Sequence, residues 1–119
     1  MLAFVDQYFA TWSDQDMEGY KACFHPQATI YYISEAGDVS GMVLEPFIKS
    51  QEMAHENASE PMREYPLESE VDIDGDVARV LTRWALLKGE RRETGTDYFT
   101  LLRGDKGWVI VNLVFNKDP

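Results

Sequence analysis

GTDYFTLLRGDKGWVIVNLVF, residues 95–115, decides the fold. Two runs of β-branched and aromatic residues flank GDKG, a turn of the kind that joins antiparallel strands. Centring the turn at Asp105-Lys106 pairs Leu101 with Ile110 and Phe99 with Asn112. Asp97 then lies opposite Val114 and diagonal to Asn112. Side chains alternate along a strand, so Asp97 shares a face with Phe99 and Leu101, while Thr94, Thr96, Tyr98 and Thr100 take the other. The more apolar face is the one that meets a core, so Asp97 is predicted to look inward. The last strand is apolar on both faces, and this register leaves Val109, Val111, Leu113 and Phe115 outside. An apolar strip of that kind marks a partner surface, and a twofold homodimer is the simplest cover for it.

The strands upstream follow the same period of two. Asp74-Gly75 is a two-residue hairpin turn that pairs Val71 with Ala78, Ser69 with Val80 and Leu67 with Thr82. Glu70 then meets Arg79 on the other face, which matches opposite charges. The predicted core face of the second strand is Ala78, Val80, Thr82, Trp84 and Leu86. The hairpin near Lys88–Glu93 leaves two registers open: a turn at Glu90-Arg91 sets Trp84 opposite Asp97, and a turn at Gly89-Glu90 sets Thr82 there. In either case Asp97 faces an aromatic or a hydroxyl neighbour. Such surroundings raise a carboxyl pKa, and raised values accompany acid/base and hydrogen-bond-donor roles.

The first half reads mostly as helix. Leu2, Val5, Phe9 and Trp12 recur at helical spacing, with Phe4 and Tyr8 beside them. Ser13-Asp14-Gln15-Asp16 breaks that helix and supplies caps for a second, Met17 to Phe24, which buries Met17, Tyr20 and Phe24. His25-Pro26 stops it. Ala28–Ser34 reads as a strand, and Leu44–Asn57 as a third helix with Pro46 in its first turn. Helices first and a long meander last predict an α+β fold: three N-terminal helices packed on one face of a strongly curved, mostly antiparallel sheet, in one domain over residues 1–119.

Bulk composition removes several functional classes. The chain carries 11 Lys and Arg against 21 Asp and Glu, a formal net charge of −10. Nucleic acid and anionic membrane surfaces both demand basic patches, so neither is an expected partner. A single cysteine, Cys23, forms no internal disulfide, and two histidines, His25 and His55, are too few for a dedicated zinc site. No apolar run approaches the roughly 20 residues a membrane span needs, and MLAFVDQ lacks the basic start of a signal peptide. A cytoplasmic protein without cofactor or metal is the expectation. Covalent hydrolysis, nucleotide binding and metalloproteolysis find no nucleophile elbow, phosphate loop or HExxH motif.

FVDQYFATWSDQDMEGYKACFHPQATI, residues 4–30, resembles the opening of the nuclear transport factor 2-like superfamily, and GTDYFTLLRGDKGWVIVNLVF resembles the closing strands of its small bacterial members. The likeness is to the group called putative lumazine-binding proteins, beside SnoaL-like polyketide cyclases and ketosteroid isomerases. It implies a cone of curved sheet closed at one end by helices over a pocket, usually as a dimer. It also implies that Tyr8 and Asp97 stand where the isomerases put an oxyanion-hole tyrosine and a protonated aspartate, an acid kept neutral by apolar surroundings. The position of the isomerase base is Tyr32 here. A phenol, ordinarily ionising near ~10, is a poor base at neutral pH.

The expected function is therefore binding of a small organic molecule in an internal, mostly apolar pocket. Asp97, Tyr8 and Tyr32 are its candidate catalytic residues, and Trp12, Trp84, Thr82, Phe99, Asn112 and Ile110 its candidate ligand contacts. Two further readings stay open: a cofactor-independent isomerase, cyclase or dehydratase using Asp97 as general acid/base, and a non-catalytic dimerisation or interaction domain.

Overall fold

The computed structural model describes residues 1–119. Helices α1 (Leu2–Ser13) and α2 (Met17–Ala22) precede strands β1 (Phe24–Ile33) and β2 (Val39–Val43). Helix α3 (Leu44–Asn57) comes next, then strands β3 (Met62–Asp74), β4 (Val77–Lys88), β5 (Arg91–Gly104) and β6 (Gly107–Lys117). The third helix thus follows two strands, where the sequence reading placed one, so the three helices are not all N-terminal to the sheet. Strand β2 had no sequence signal: Val-Ser-Gly-Met-Val is short and every residue of it is exposed, so no alternation of burial marks it. No helix is long and apolar enough to cross a membrane.

The six strands form one sheet in the order β2-β1-β6-β5-β4-β3. All neighbours run antiparallel except β1 and β6, which are parallel. The helices cover one face. Val5, Tyr8, Phe9 and Trp12 of α1, Tyr20 of α2 and Leu44, Phe47 and Ile48 of α3 are buried against Ala78, Val80, Trp84, Phe99, Leu101, Ile110 and Leu113 of the sheet. Each such apolar side chain contributes about 1.5–3 kcal/mol on burial. Leu2, at the frayed start of α1, is 61% exposed and does not join them. Asp16 caps α2 by accepting a hydrogen bond from the Gly19 amide at 3.0 Å.

The hairpins show where alternation survives. The turn before β4 is one residue later than expected, at Gly75-Asp76, with Gly75 at φ +61°. Partners along β3 and β4 shift by two, so the faces keep their identity near the turn. Val71 meets Val80 and Ser69 meets Thr82. The middle hairpin takes the Gly89-Glu90 turn, and Thr82, not Trp84, stands opposite Asp97. Two irregularities then change faces. In β3 an extra residue, Leu67, lies between Pro66 and Glu68, and in β6 an extra residue, Val111, lies between Ile110 and Asn112. A bulged residue reverses the alternation beyond it.

The bulge at Val111 corrects two expectations. Asn112 pairs with Thr100 on the outer face, where its amide donates to the Thr29 carbonyl and hydroxyl at 3.3 and 3.0 Å. It stitches β6 to β1 and does not accompany Asp97. Leu113 and Phe115, expected outside, turn inward: Leu113 is buried opposite Phe99, and Phe115 stands opposite Asp97. Only Val109 and Val111 of the expected outer strip escape that reversal, and the outer face is completed by Tyr31, Tyr98 and Leu102, exposed by 41%, 45% and 38%.

Candidate functional site

Between the helices and the sheet lies a small chamber of about 30 Å³, lined by Tyr8, Trp12, Tyr20, Phe47, Gln51, Glu64, Trp84, Asp97 and Phe115. That volume holds about one water molecule. A second cavity of about 240 Å³ lies beside it, lined by Ile30, Tyr32, Ser40, Met42, Phe47, Ser50, Gln51 and Phe115. Phe47, Gln51 and Phe115 belong to both. These three side chains form the partition between an inner polar chamber and an outer apolar one.

Asp97 comes from the middle of β5, where neither end of the strand can move it. It is 3% exposed, and its Oδ2 has no hydrogen-bond partner. Desolvation pushes its carboxyl up to about 8, against a smaller lowering influence from the Trp84 indole N–H. That N–H is itself buried without a partner of good geometry, so it lies near the carboxyl without completing a bond. Trp84 is held across the sheet by Gly95, its pair on β5: a Cβ there would collide with the indole and with the Asn116 carbonyl.

Glu64 brings a second carboxyl. By surface area the residue is half-buried, yet desolvation is the main cause that raises its pKa well above the carboxylate range, and the charge of Asp97 adds to it. Its backbone is pinned from α1. The Ser13 hydroxyl donates to the Glu64 carbonyl at 3.1 Å and accepts from the Glu64 amide at 2.8 Å. Tyr8 of α1 and Tyr20 of α2 complete the polar wall, their hydroxyls 3.0 Å apart. Burial pushes both phenols well above their usual value. Trp12 donates its indole N–H to Gln51 Oε1 at 2.9 Å, which fixes the amide in the partition.

The sequence-predicted residues divide accordingly. Asp97, Tyr8, Trp12 and Trp84 meet in the inner chamber, and Tyr32 lines the outer one, its ring 5.0 Å from Phe115. Thr82 is fully buried opposite Asp97, but its hydroxyl is engaged with Ser69 at 2.8 Å. Phe99 supports the chamber from below, edge-on to Tyr8 at 5.1 Å. Ile110 lines neither cavity; it is fully buried beside Leu101 and Phe24. Asn112 faces away, as described. Sequence reasoning missed Glu64, Gln51 and the partition role of Phe47 and Phe115. Pro66 was the available signal for Glu64, since a proline within a strand interrupts the ladder and invites a bulge.

A six-stranded, mostly antiparallel sheet with helices on one face and an enclosed acid is the architecture of the NTF2-like (nuclear transport factor 2-like) superfamily, also described as cystatin-like. Solved structures bear this out. A protein of unknown function with a cystatin-like fold from Nostoc punctiforme superposes with a TM-score of 0.79 at 12% identity, over 99% of this chain and 88% of that one. An NTF2-like protein of unknown function from Pseudomonas putida gives 0.81 at 14% identity, over 96% and 81%. Another, from Shewanella baltica, gives 0.72 at 19% identity, over 99% and 90%. Residues 1–116 match the family described as "Putative lumazine-binding", and the chain belongs to that family. Among curated proteins none matches.

Proposed function

We propose that this chain, one domain over residues 1–119, binds a small, mostly apolar organic molecule. The body of the ligand occupies the outer cavity against Ile30, Tyr32, Met42 and Phe115. Its polar end passes the Phe47–Gln51–Phe115 partition and reaches Asp97, Glu64 and Tyr8. The carrying observation is Asp97 itself: a carboxyl that is 3% exposed, has one oxygen without a partner, and is separated from an apolar cavity by the side chains of Phe47, Gln51 and Phe115. Buried polar groups are almost always satisfied, and exceptions concentrate where a ligand completes the bonding. The family name, which refers to ligand binding, supports the same reading.

A thermal-shift screen of small aromatic and alicyclic fragments tests it. A true ligand at 100 times its Kd stabilises the fold by about 2.7 kcal/mol. That stabilisation is expected to fall in Asp97→Asn and to change in Phe115→Ala, which merges the two cavities. A ligand whose effect is untouched by both substitutions would bind elsewhere and defeat the proposal.

Proton-transfer catalysis is supported by one further observation. A carboxyl with a pKa of about 8 exchanges its proton readily at neutral pH. In that reading Asp97 is the general acid/base and the Tyr8 hydroxyl polarises the substrate oxygen, while Tyr32 contributes to the outer cavity only. Asp97→Asn then retains binding and loses turnover. Self-association over the outer sheet face, through Val109, Val111, Tyr31 and Tyr98, is the companion proposal; Tyr98→Glu is expected to shift sedimentation from dimer to monomer.

A further inference from the structure

Resting on the interior binding proposed above, we infer that the polar end of the ligand is a primary ammonium group, held by Asp97 and Glu64 inside a wall of aromatic rings. The inner chamber presents two carboxyls, two phenols, one amide and four further aromatic side chains, and no Lys, Arg or His. A carboxylate or phosphate ligand would find no cationic side chain to pair with there. A neutral carbonyl needs one donor and leaves the second acid without purpose. An ammonium uses both acids, and a lining that includes the rings of Trp12, Trp84, Phe47 and Phe115 suits a cation further. The size agrees: an –NH₃⁺ group is close to a water molecule in volume, which is what about 30 Å³ accommodates.

Neither acid has a counter-ion on the protein. The ion pairs of the chain, such as Arg83–Asp118 at 2.9 Å and Lys117–Glu93 at 3.5 Å, lie elsewhere. Burial favours the protonated form of both acids, and the charge of Asp97 raises Glu64 further. A cation entering the chamber reverses this. Asp97 ionises, accepts from the ammonium on one oxygen, and can complete the bond with the Trp84 N–H that the empty chamber leaves unmade. Binding at neutral pH therefore releases a proton. The titratable groups facing Asp97 are Glu64 from β3, Tyr8 from α1 and Tyr20 from α2; α3 presents Gln51, β4 presents Thr82 and Trp84, and β6 presents Phe115. Both phenols titrate well above neutrality, so Asp97 and Glu64 carry the pH dependence.

The test is calorimetric titration of the intact chain with three matched probes: 2-phenylethylamine, 2-phenylethanol and phenylacetate. The amine is expected to bind at least about tenfold tighter than the alcohol, the size of one charge-assisted hydrogen bond. Its observed heat should vary with the ionisation enthalpy of the buffer, in the sense of proton release. The preference should weaken about tenfold or more in Asp97→Asn and in Glu64→Gln, variants that preserve shape. If the alcohol matches or exceeds the amine, the ammonium assignment is overturned while interior binding stands. If phenylacetate binds best, the assignment is equally overturned. If none of the three binds at millimolar concentration and the fragment screen is also empty, both this assignment and the binding function fall together.

Discussion

Strands β4 and β5 pair through twelve consecutive residues without interruption, whereas β3 and β6, on either side of them, each carry one extra residue. The regular pair holds Asp97 and Trp84. The bulged strands supply Glu64 on one side and Phe115 on the other. The chamber is thus assembled from two kinds of strand: an unbroken ladder that fixes the central acid, and two broken ones that re-aim their side chains toward it. Alternation can be read from residue types only where the ladder is unbroken, because a single bulge reverses everything beyond it.

The largest expected effect comes from breaking the regular pair. Deleting Leu81 from β4 sets Ala78 and Val80 on one face and Thr82 and Trp84 on the other, against Phe99 and Asp97. Urea titration followed by circular dichroism should find no cooperative transition, a loss of more than about 5 kcal/mol. Deleting Leu67 is the control that sharpens the contrast. It leaves Glu68 opposite Arg83 and Pro66 opposite Trp84 on their present faces, and should cost only about 1–2 kcal/mol. Equal damage from the two deletions would show that the bulge is not a spare residue.

Trp84→Ala removes the indole that lies over Gly95, and should cost about 3–5 kcal/mol in the same titration. The acid pair gives the next effect. The native Asp97 carboxyl keeps its proton to a pH of about 8, while in the unfolded chain it ionises near ~4. The native state therefore binds more protons between those values, and stability is greatest at the acidic side and falls as pH rises. Asp97 alone contributes a slope of up to about 1.4 kcal/mol per pH unit between pH 5 and 7. Asp97→Asn should remove that share and leave the share due to Glu64. A wild-type stability that rises across this window would contradict the protonated chamber. Asn112→Ala is the smallest change, about 1 kcal/mol from the lost bonds to Thr29, and it should leave ligand affinity unaltered.

These contrasts explain what the sequence made legible. Asp97 could be oriented because Phe99 and Leu101 flank it within an unbroken ladder, and the faces of β4 survived even though its turn was misplaced by one residue. The inward turn of Phe115 could not be read: Trp108-Val109-Ile110-Val111 is apolar throughout, so no polar residue marks the bulge at Val111. Asn112 was assigned to the wrong face for the same reason. Glu64 lay hidden behind the bulge at Leu67, whose 51% exposure is the mark of a residue pushed out of the ladder. The partition formed by Phe47, Gln51 and Phe115 joins a helix to a strand far apart in the chain, and no local pattern encodes such a meeting.

The parallel pairing of β1 with β6 carries a consequence for how the molecule comes into being. Strand β6, the last in chain order, lies between β1 and β5 in the interior of the sheet, and Asn112 bonds across 83 residues to Thr29. Until β6 is in place, β1 and β2 have no edge to join and the helices have only part of a floor. Closing so long a loop late makes for slow folding, with the apolar faces of α1 and β1 exposed meanwhile. On the ribosome, the chamber cannot be completed until β6, which supplies Phe115, has emerged.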